Sequence, residues 1–142
     1  DVAGEYIKAH SQQDETVFTS AHQSFGVLWH ADRKGFRPPS NMDNFTLGEE
    51  QRNVRWILAY QWGIQQFLGN PEYADYIANN YRLRQVGLVQ QGTQYAPVYF
   101  LFSKGGTTNL SDIQSEIGQN PIQTREYENS AGKMTMQYIN VD

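Results

Sequence analysis

The chain has 142 residues and a mass of 16.3 kDa, with 11 basic and 15 acidic side chains and an aromatic content of 13%. This length suits one domain, and so many aromatic residues exclude a disordered segment. The net charge of −4 argues against a protein that coats nucleic acid, which usually needs a positive balance. The absence of cysteine excludes disulfide scaffolds, thiolate metal sites and cysteine nucleophiles.

Few signals in the sequence bear on location. The longest apolar run, residues 95–102, is far shorter than the roughly 18–20 residues of a membrane span. Residues 1–5 lack the basic and apolar regions of a signal peptide, so we expect a mature end or the end of an expressed fragment. The 15 glutamines and 10 asparagines far outnumber the four lysines, which favours a secreted or periplasmic bacterial protein over a cytoplasmic one.

Residues 1–31 have apolar side chains at helical spacing, which predicts one long helix or two helices broken near residues 12–14. A short strand at residues 25–29 is the alternative, because Gly26 weakens a helix. Residues 32–41 contain a glycine, two prolines and several charges, and this composition predicts an exposed loop.

Residues 46–69 predict the central helix. Thr46 and Glu49 have the spacing of a capping box, and two adjacent apolar stripes follow them, as in a helix buried over more than half its circumference. A further helix should begin at Asn70 as the cap and Pro71 as the first helical residue. Its expected inner face comprises Tyr73, Ile77 and Tyr81.

The pattern then changes, because no charged residue occurs in residues 85–103. Residues 83–89 and 95–102 predict two strands joined by a hairpin loop at residues 91–94. The second strand is apolar on both faces, so we expect it at the centre of a sheet. Pro97 should lie at its start or at a bulge, since proline cannot donate to the strand ladder.

Residues 109–117 predict a short helix, and residues 122–128 and 133–141 predict a second hairpin. This order of elements predicts a single α+β domain that includes all 142 residues. In it, N-terminal helices, about residues 1–82, pack on one face of an antiparallel sheet. The sheet has about four strands, which the two C-terminal hairpins provide, about residues 83–142.

Glu126 and Glu128 form one candidate site. They lie two residues apart on a predicted strand and hence on the same face, where paired carboxylates can divide acid–base work. With His30 they are the catalytic candidates of the chain. The alternative is an exposed edge strand whose charges resist association with other sheets. We expect no metal and no cofactor, because His22 and His30 would lie about 12 Å apart along a helix, too far for one ion.

The predicted loop supplies candidate binding residues. It carries three cations around one aromatic side chain: Arg33, Lys34, Arg37 and Phe36. Such a loop can hold a phosphate, a carboxylate or an acidic partner surface, whereas the alternative is a solvated turn whose phenylalanine packs on the core. Tyr95 and Tyr99 join this set, because the tyrosines are too numerous to bury fully and should line a groove or an interface.

No nucleophile and base converge in the sequence, so we expect a non-catalytic protein-interaction or assembly module of bacterial or phage origin. Its partner would be another protein or a second copy of the chain. One alternative is a small-ligand-binding protein or small enzyme with an acid–base site in a pocket between helices and sheet. A further alternative is a secreted toxin domain that acts on nucleotide or nucleic acid, although the net charge disfavours a nucleic-acid partner.

Overall fold

The structure is a computed structural model that describes residues 2–20, 28, 31–61, 67–129 and 132–141. Within these ranges the α-helices are α1 (Val2–His10), α2 (Met42–Gln51), α3 (Pro71–Asn80) and α4 (Ile113–Gln119), the last preceded by a 3-10 turn at Leu110–Asp112. The strands are β1 (Thr16–Thr19), β2 (Gly35–Phe36), β3 (Val54–Tyr60), β4 (Tyr81–Gln91), β5 (Gln94–Lys104), β6 (Gln123–Asn129) and β7 (Gly132–Asn140). No helix among the described residues is long and apolar enough to cross a bilayer.

The seven strands form one mixed sheet in the order β2-β1-β3-β5-β4-β7-β6. Strand β1 runs parallel to β2 and β3, and the other neighbours are antiparallel. The α+β class is therefore confirmed. The sheet is larger than the expected four antiparallel strands, because β1, β2 and β3 precede the two C-terminal hairpins and extend the sheet beyond β5.

Helix α2 begins before the predicted cap. The Asn41 side chain accepts the backbone N–H of Asn44 at 2.9 Å and so caps the helix. The Thr46 hydroxyl donates to the carbonyl of Met42 at 3.1 Å, within the helix. The capping-box interpretation of Thr46 and Glu49 was therefore wrong, because Asn41 already supplies the cap.

Strand β3 lies in the middle of the central helix expected at residues 46–69. Residues 56–59 are all buried, so β3 is covered on both faces. A strand of this kind has no polar alternation, and its apolar residues also fit a helical stripe. Asn53, with a φ of 50°, turns the chain between α2 and β3. Residues 62–66 of the expected helix lie outside the described residues.

The first half of the chain also differs from the long helix that we expected. Helix α1 ends at His10, and the chain then turns into the fully buried strand β1. Most of the alternative strand at residues 25–29 lies outside the described residues. The predicted loop at residues 32–41 contains the two-residue strand β2, which pairs with β1.

Helix α3 begins where its local signals predict, but Tyr81, expected on its inner face, is the first residue of β4. Asn70 accepts the N–H of Glu72 at 3.0 Å, and Pro71 is the first helical residue. Strand β5 lies at the middle of the sheet, between β3 and β4. Its register with β4 shifts between the pair Gly87–Tyr99 and the pair that Pro97 makes, so this proline lies beside a β-bulge.

Helices cover both faces of the sheet. On one face, α2, α3 and α4 pack on side chains that include Phe18, Ile57 and Phe100. On the other face, Ala3 and Ile7 of α1 pack in a separate cluster on residues from β1, β3 and β5. The expectation of helices on a single face was therefore wrong, because β3 and β5 are apolar on both sides and α1 buries their second side.

Gly87 leaves the space that the Tyr99 ring occupies. A β-carbon at residue 87 would overlap the Tyr99 ring. Tyr99 is buried, and its hydroxyl donates to Gln85 at 2.6 Å, so the ring is held in place. We expect Gly87→Ala to lower the free energy of unfolding, measured by urea denaturation, by roughly 2–3 kcal/mol through overpacking.

Gly118→Ala is the matched control. Nothing lies within 4 Å of a β-carbon built at this residue of α4. Alanine should leave stability unchanged or raise it by up to about 1 kcal/mol, because it lowers the entropy cost of ordering the helix. Equal stability of Gly87→Ala and the wild type would contradict the close packing of residue 87 on Tyr99.

Candidate functional site

Glu49 is the one buried acidic side chain among the described residues, with 4% of its surface exposed. Its Oε1 accepts the Lys104 ammonium at 2.6 Å and the Tyr76 hydroxyl at 2.5 Å. Its Oε2 accepts the Tyr81 hydroxyl. This carboxylate therefore joins α2 to α3, to the start of β4 and to the end of β5.

The tyrosines around Glu49 are held in their neutral form. Burial, the hydrogen bond to Glu49 and the negative charge of Glu49 all raise the pKa of Tyr81 above its ordinary value. The positive charge of Arg55 acts in the opposite direction on the pKa of Tyr81, which places Arg55 within electrostatic reach of the cluster. The same three causes raise the pKa of Tyr76. Both hydroxyls thus remain donors to the carboxylate.

An open cavity of about 390 Å³ lies beside this carboxylate, and we call it the Glu49 cavity. Its lining residues are Thr46, Glu49, Glu50, Asn53, Val54, Arg55 and Lys104. Trp56–Ser103 is the last pair of the β3–β5 ladder, and Arg55 and Lys104 are the residues next to it on the two strands. Two cations from neighbouring strands therefore share the wall of this cavity.

A second cavity, of about 570 Å³, lies between the start of β5 and the end of α4, and we call it the neutral groove. Its lining residues are Gln94, Tyr95, Gln114, Ile117, Gly118, Asn120 and Ile122. None of these side chains is charged. Tyr95 is half-buried against the core, whereas Ile122 is 37% exposed.

The basic loop does not present its four candidate residues together. The Arg33 guanidinium donates to the Ser11 hydroxyl at 3.0 Å and to the Ser11 carbonyl at 3.2 Å, which ties the loop to the end of α1. The Phe36 ring packs on the core, and the guanidinium of Arg52 lies 4.3 Å from its centre. Lys34 and Arg37 are exposed.

The other candidate residues lie apart from each other. Tyr99 is buried within the sheet, unlike Tyr95 at the neutral groove. Glu126 and Glu128 are exposed on β6, at the edge of the sheet, and Glu128 lies 3.9 Å from Lys133 on β7. His30 lies outside the described residues. The part of the chain that the structure describes contains no cluster of three or more His, Asp or Glu side chains that could hold a metal.

Sequence reasoning missed the role of Glu49. Glu49 follows Phe45 by four residues, and that spacing puts both on the same side of α2, where both are buried. An acidic side chain on the buried side of a helix needs a charged or hydrogen-bonding partner. The Phe45–Glu49 spacing was therefore the available signal, although it does not identify Lys104, 55 residues further along the chain, as that partner.

Searches of protein-family models, curated proteins and solved structures found no match to this chain. The Glu49 cavity is lined by charges of both signs, whereas the neutral groove is lined by amides and apolar groups.

Glu49→Gln tests the buried carboxylate. Glutamine keeps the size of the side chain, but it removes the charge that pairs with Lys104 and turns an amide N–H₂ toward one of the two tyrosine hydroxyls that were donating. Because Lys104 is 27% exposed, water offsets part of the loss. We expect the free energy of unfolding to fall by about 2–3 kcal/mol in urea denaturation.

Glu50→Gln is the control for this measurement, because Glu50 is the next residue and is exposed. Its effect should stay within about 0.5 kcal/mol. An equal loss of stability in both variants would mean that the negative charge of α2 as a whole, and not the buried contact of Glu49, supports the fold.

Tyr60, at the end of β3, should lower the stability of the fold at alkaline pH. Burial raises the pKa of Tyr60 from 10.0 to about 12. Between these values the unfolded chain has lost the Tyr60 proton and the folded chain has kept it, so stability falls as pH rises. From pH 8 to pH 11, urea denaturation should show a smaller fall in Tyr60→Phe than in the wild type, by about 1.4 kcal/mol at most. An identical fall in both proteins would contradict the raised pKa of Tyr60.

Proposed function

We propose that the protein is a non-catalytic protein-interaction module whose neutral groove binds an uncharged segment of a partner protein. The observation that carries this proposal is a groove of about 570 Å³ with no charged side chain in its wall, in a chain that has 26 charged residues, 11 basic and 15 acidic. The centres of protein interfaces are likewise depleted in charge and enriched in tyrosine.

The lining of the neutral groove matches the chemistry of a peptide. Gln94 and Gln114 each offer amide donors and an acceptor, which suit the N–H and C=O groups of a partner backbone. The Asn120 amide N–H₂ donates to Glu116, so Asn120 offers only its carbonyl oxygen as an acceptor. Tyr95 and Ile122 offer apolar surface for one protruding side chain. A charged partner side chain would find no counter-charge in this wall and would lose hydration, so an uncharged segment is favoured.

The charges on β6 favour a different protein over a second copy. If two copies of β6 pair antiparallel in the fullest register, Glu126 of one copy faces Glu126 of the other. If the twofold axis between the two copies moves by one residue toward the start of β6, Arg125 faces Arg125 of the other copy. If it moves by one residue toward the end, Glu126 faces Glu128. Like charges thus oppose each other in each of the three fullest registers, and this supports the interpretation of β6 as an edge that resists self-association.

The acid–base alternative gains no support from the described residues. Glu126 and Glu128 line neither the Glu49 cavity nor the neutral groove. The toxin alternative likewise finds no continuous basic surface in the loop, because Arg33 is engaged within the fold and Arg52 lies over Phe36.

Selection of peptides from a random display library tests the proposal. Selected peptides should be uncharged and should share one aliphatic or aromatic anchor. Gln114→Arg adds a charge to the wall of the groove and should weaken binding about tenfold or more in fluorescence polarisation, since an uncharged peptide would strip water from that charge without supplying a partner. Light scattering should report a monomer.

Ser115→Arg is the matched control, since it adds the same charge to the next exposed residue of α4, which does not line the groove. It should leave peptide affinity unchanged. Peptides that bind Gln114→Arg, Ser115→Arg and the wild type equally would contradict the groove as the binding site. A stable dimer that blocks peptide binding would instead favour self-association.

A further inference from the structure

Arg55 and Lys104 form a pair of like charges at the end of the β3–β5 ladder. Each lies directly next to the last pair of that ladder, Trp56–Ser103, and both line the Glu49 cavity, where like charges repel. Glu49 compensates one of them, because its carboxylate pairs with the Lys104 ammonium at 2.6 Å. The second positive charge, on Arg55, forms no ion pair or hydrogen bond with any residue that the structure describes.

Donor capacity remains on both cations. An ammonium has three N–H groups, and the structure assigns one from Lys104 to Glu49. With 27% of its side chain exposed, Lys104 has room to donate into the Glu49 cavity. Arg55 is exposed in the same wall and carries five donors in a fork that suits planar or tetrahedral oxyanions.

We propose that the Glu49 cavity binds a small oxyanion, a carboxylate or a phosphate group, between Arg55 and Lys104. This site shares no lining residue with the neutral groove, so it would bind a small ligand in addition to the proposed peptide. The cavity of about 390 Å³ falls within the usual range for small-molecule sites. Glu49 serves here as a fixed counter-charge that holds Lys104 in place, because both of its oxygens already accept hydrogen bonds.

Glu50 opposes the bound anion. It lines the same cavity, so the four charged side chains in the wall sum to zero. The charge of Glu49 is balanced internally by Lys104, whereas Glu50 is exposed to water, which screens its repulsion. Removal of the Glu50 charge should therefore tighten anion binding, an effect opposite in sign to the removal of Arg55.

Titration of ¹⁵N-labelled protein with inorganic phosphate and, separately, with acetate tests this site at constant ionic strength. We expect saturable shifts of the amide resonances of residues 49–55 and 104. Arg55→Gln should weaken binding about tenfold or more through the loss of charge-assisted hydrogen bonds. Glu50→Gln should tighten it severalfold. Lys34→Gln removes an exposed cation outside the cavity and should change nothing.

Saturation by phosphate alone or by acetate alone supports the site and identifies its ligand class. Shifts that fail to saturate below about 50 mM for both anions would overturn the proposal, because such binding lies in the range of non-specific contact. Equal affinity in Arg55→Gln and the wild type would overturn it as well. Arg55 is exposed, so this variant should fold, and an unchanged melting temperature checks that it does.

Discussion

Removal of a carboxylate from water costs several kcal/mol unless other groups replace its hydration, and Glu49 meets this constraint with donors from three other elements. Tyr76 and Tyr81 replace the lost water, and Lys104 supplies the opposite charge. The contact also fixes where α2 and α3 lie on the sheet, because each donor reaches Glu49 only when its own element is docked. Lys104, held at the end of β5, then forms a wall of the Glu49 cavity, so one interaction orders the helical face and positions one cation of the proposed anion site.

Local signals in the sequence were sufficient for α3 and misleading for β3. The cap at Asn70 and the proline after it act within a few residues, so they predict the start of α3 wherever the helix packs. Strand β3 gives no such signal, because its neighbours β1 and β5 come from distant parts of the chain. Burial on both faces depends on those neighbours, and without them residues 54–60 fit a helical stripe as well as a strand.

The candidate residues differ in how far their positions depend on distant parts of the chain. Glu126 and Glu128 were predictable as neighbours on one face, since alternation along a strand is local. Tyr95 and Tyr99 look alike in the sequence, yet one lines a groove and the other is buried. Tyr95 pairs with Gln90 near the hairpin turn, whereas Tyr99 lies between β3 and β4 beside Gly87, whose missing side chain admits the Tyr99 ring. Arg33 likewise depends on Ser11, 22 residues earlier.

Strand β5 relates the two sites to each other. Gln94 and Tyr95 at its start line the neutral groove, and Lys104 at its end lines the Glu49 cavity. At about 3.3 Å per residue, an 11-residue strand separates these ends by roughly 30 Å. A small anion at one end therefore cannot touch a peptide at the other. Between them lie the buried residues Phe100 and Phe102, a packed core that resists small displacements. The two proposed sites should consequently bind their proposed ligands independently.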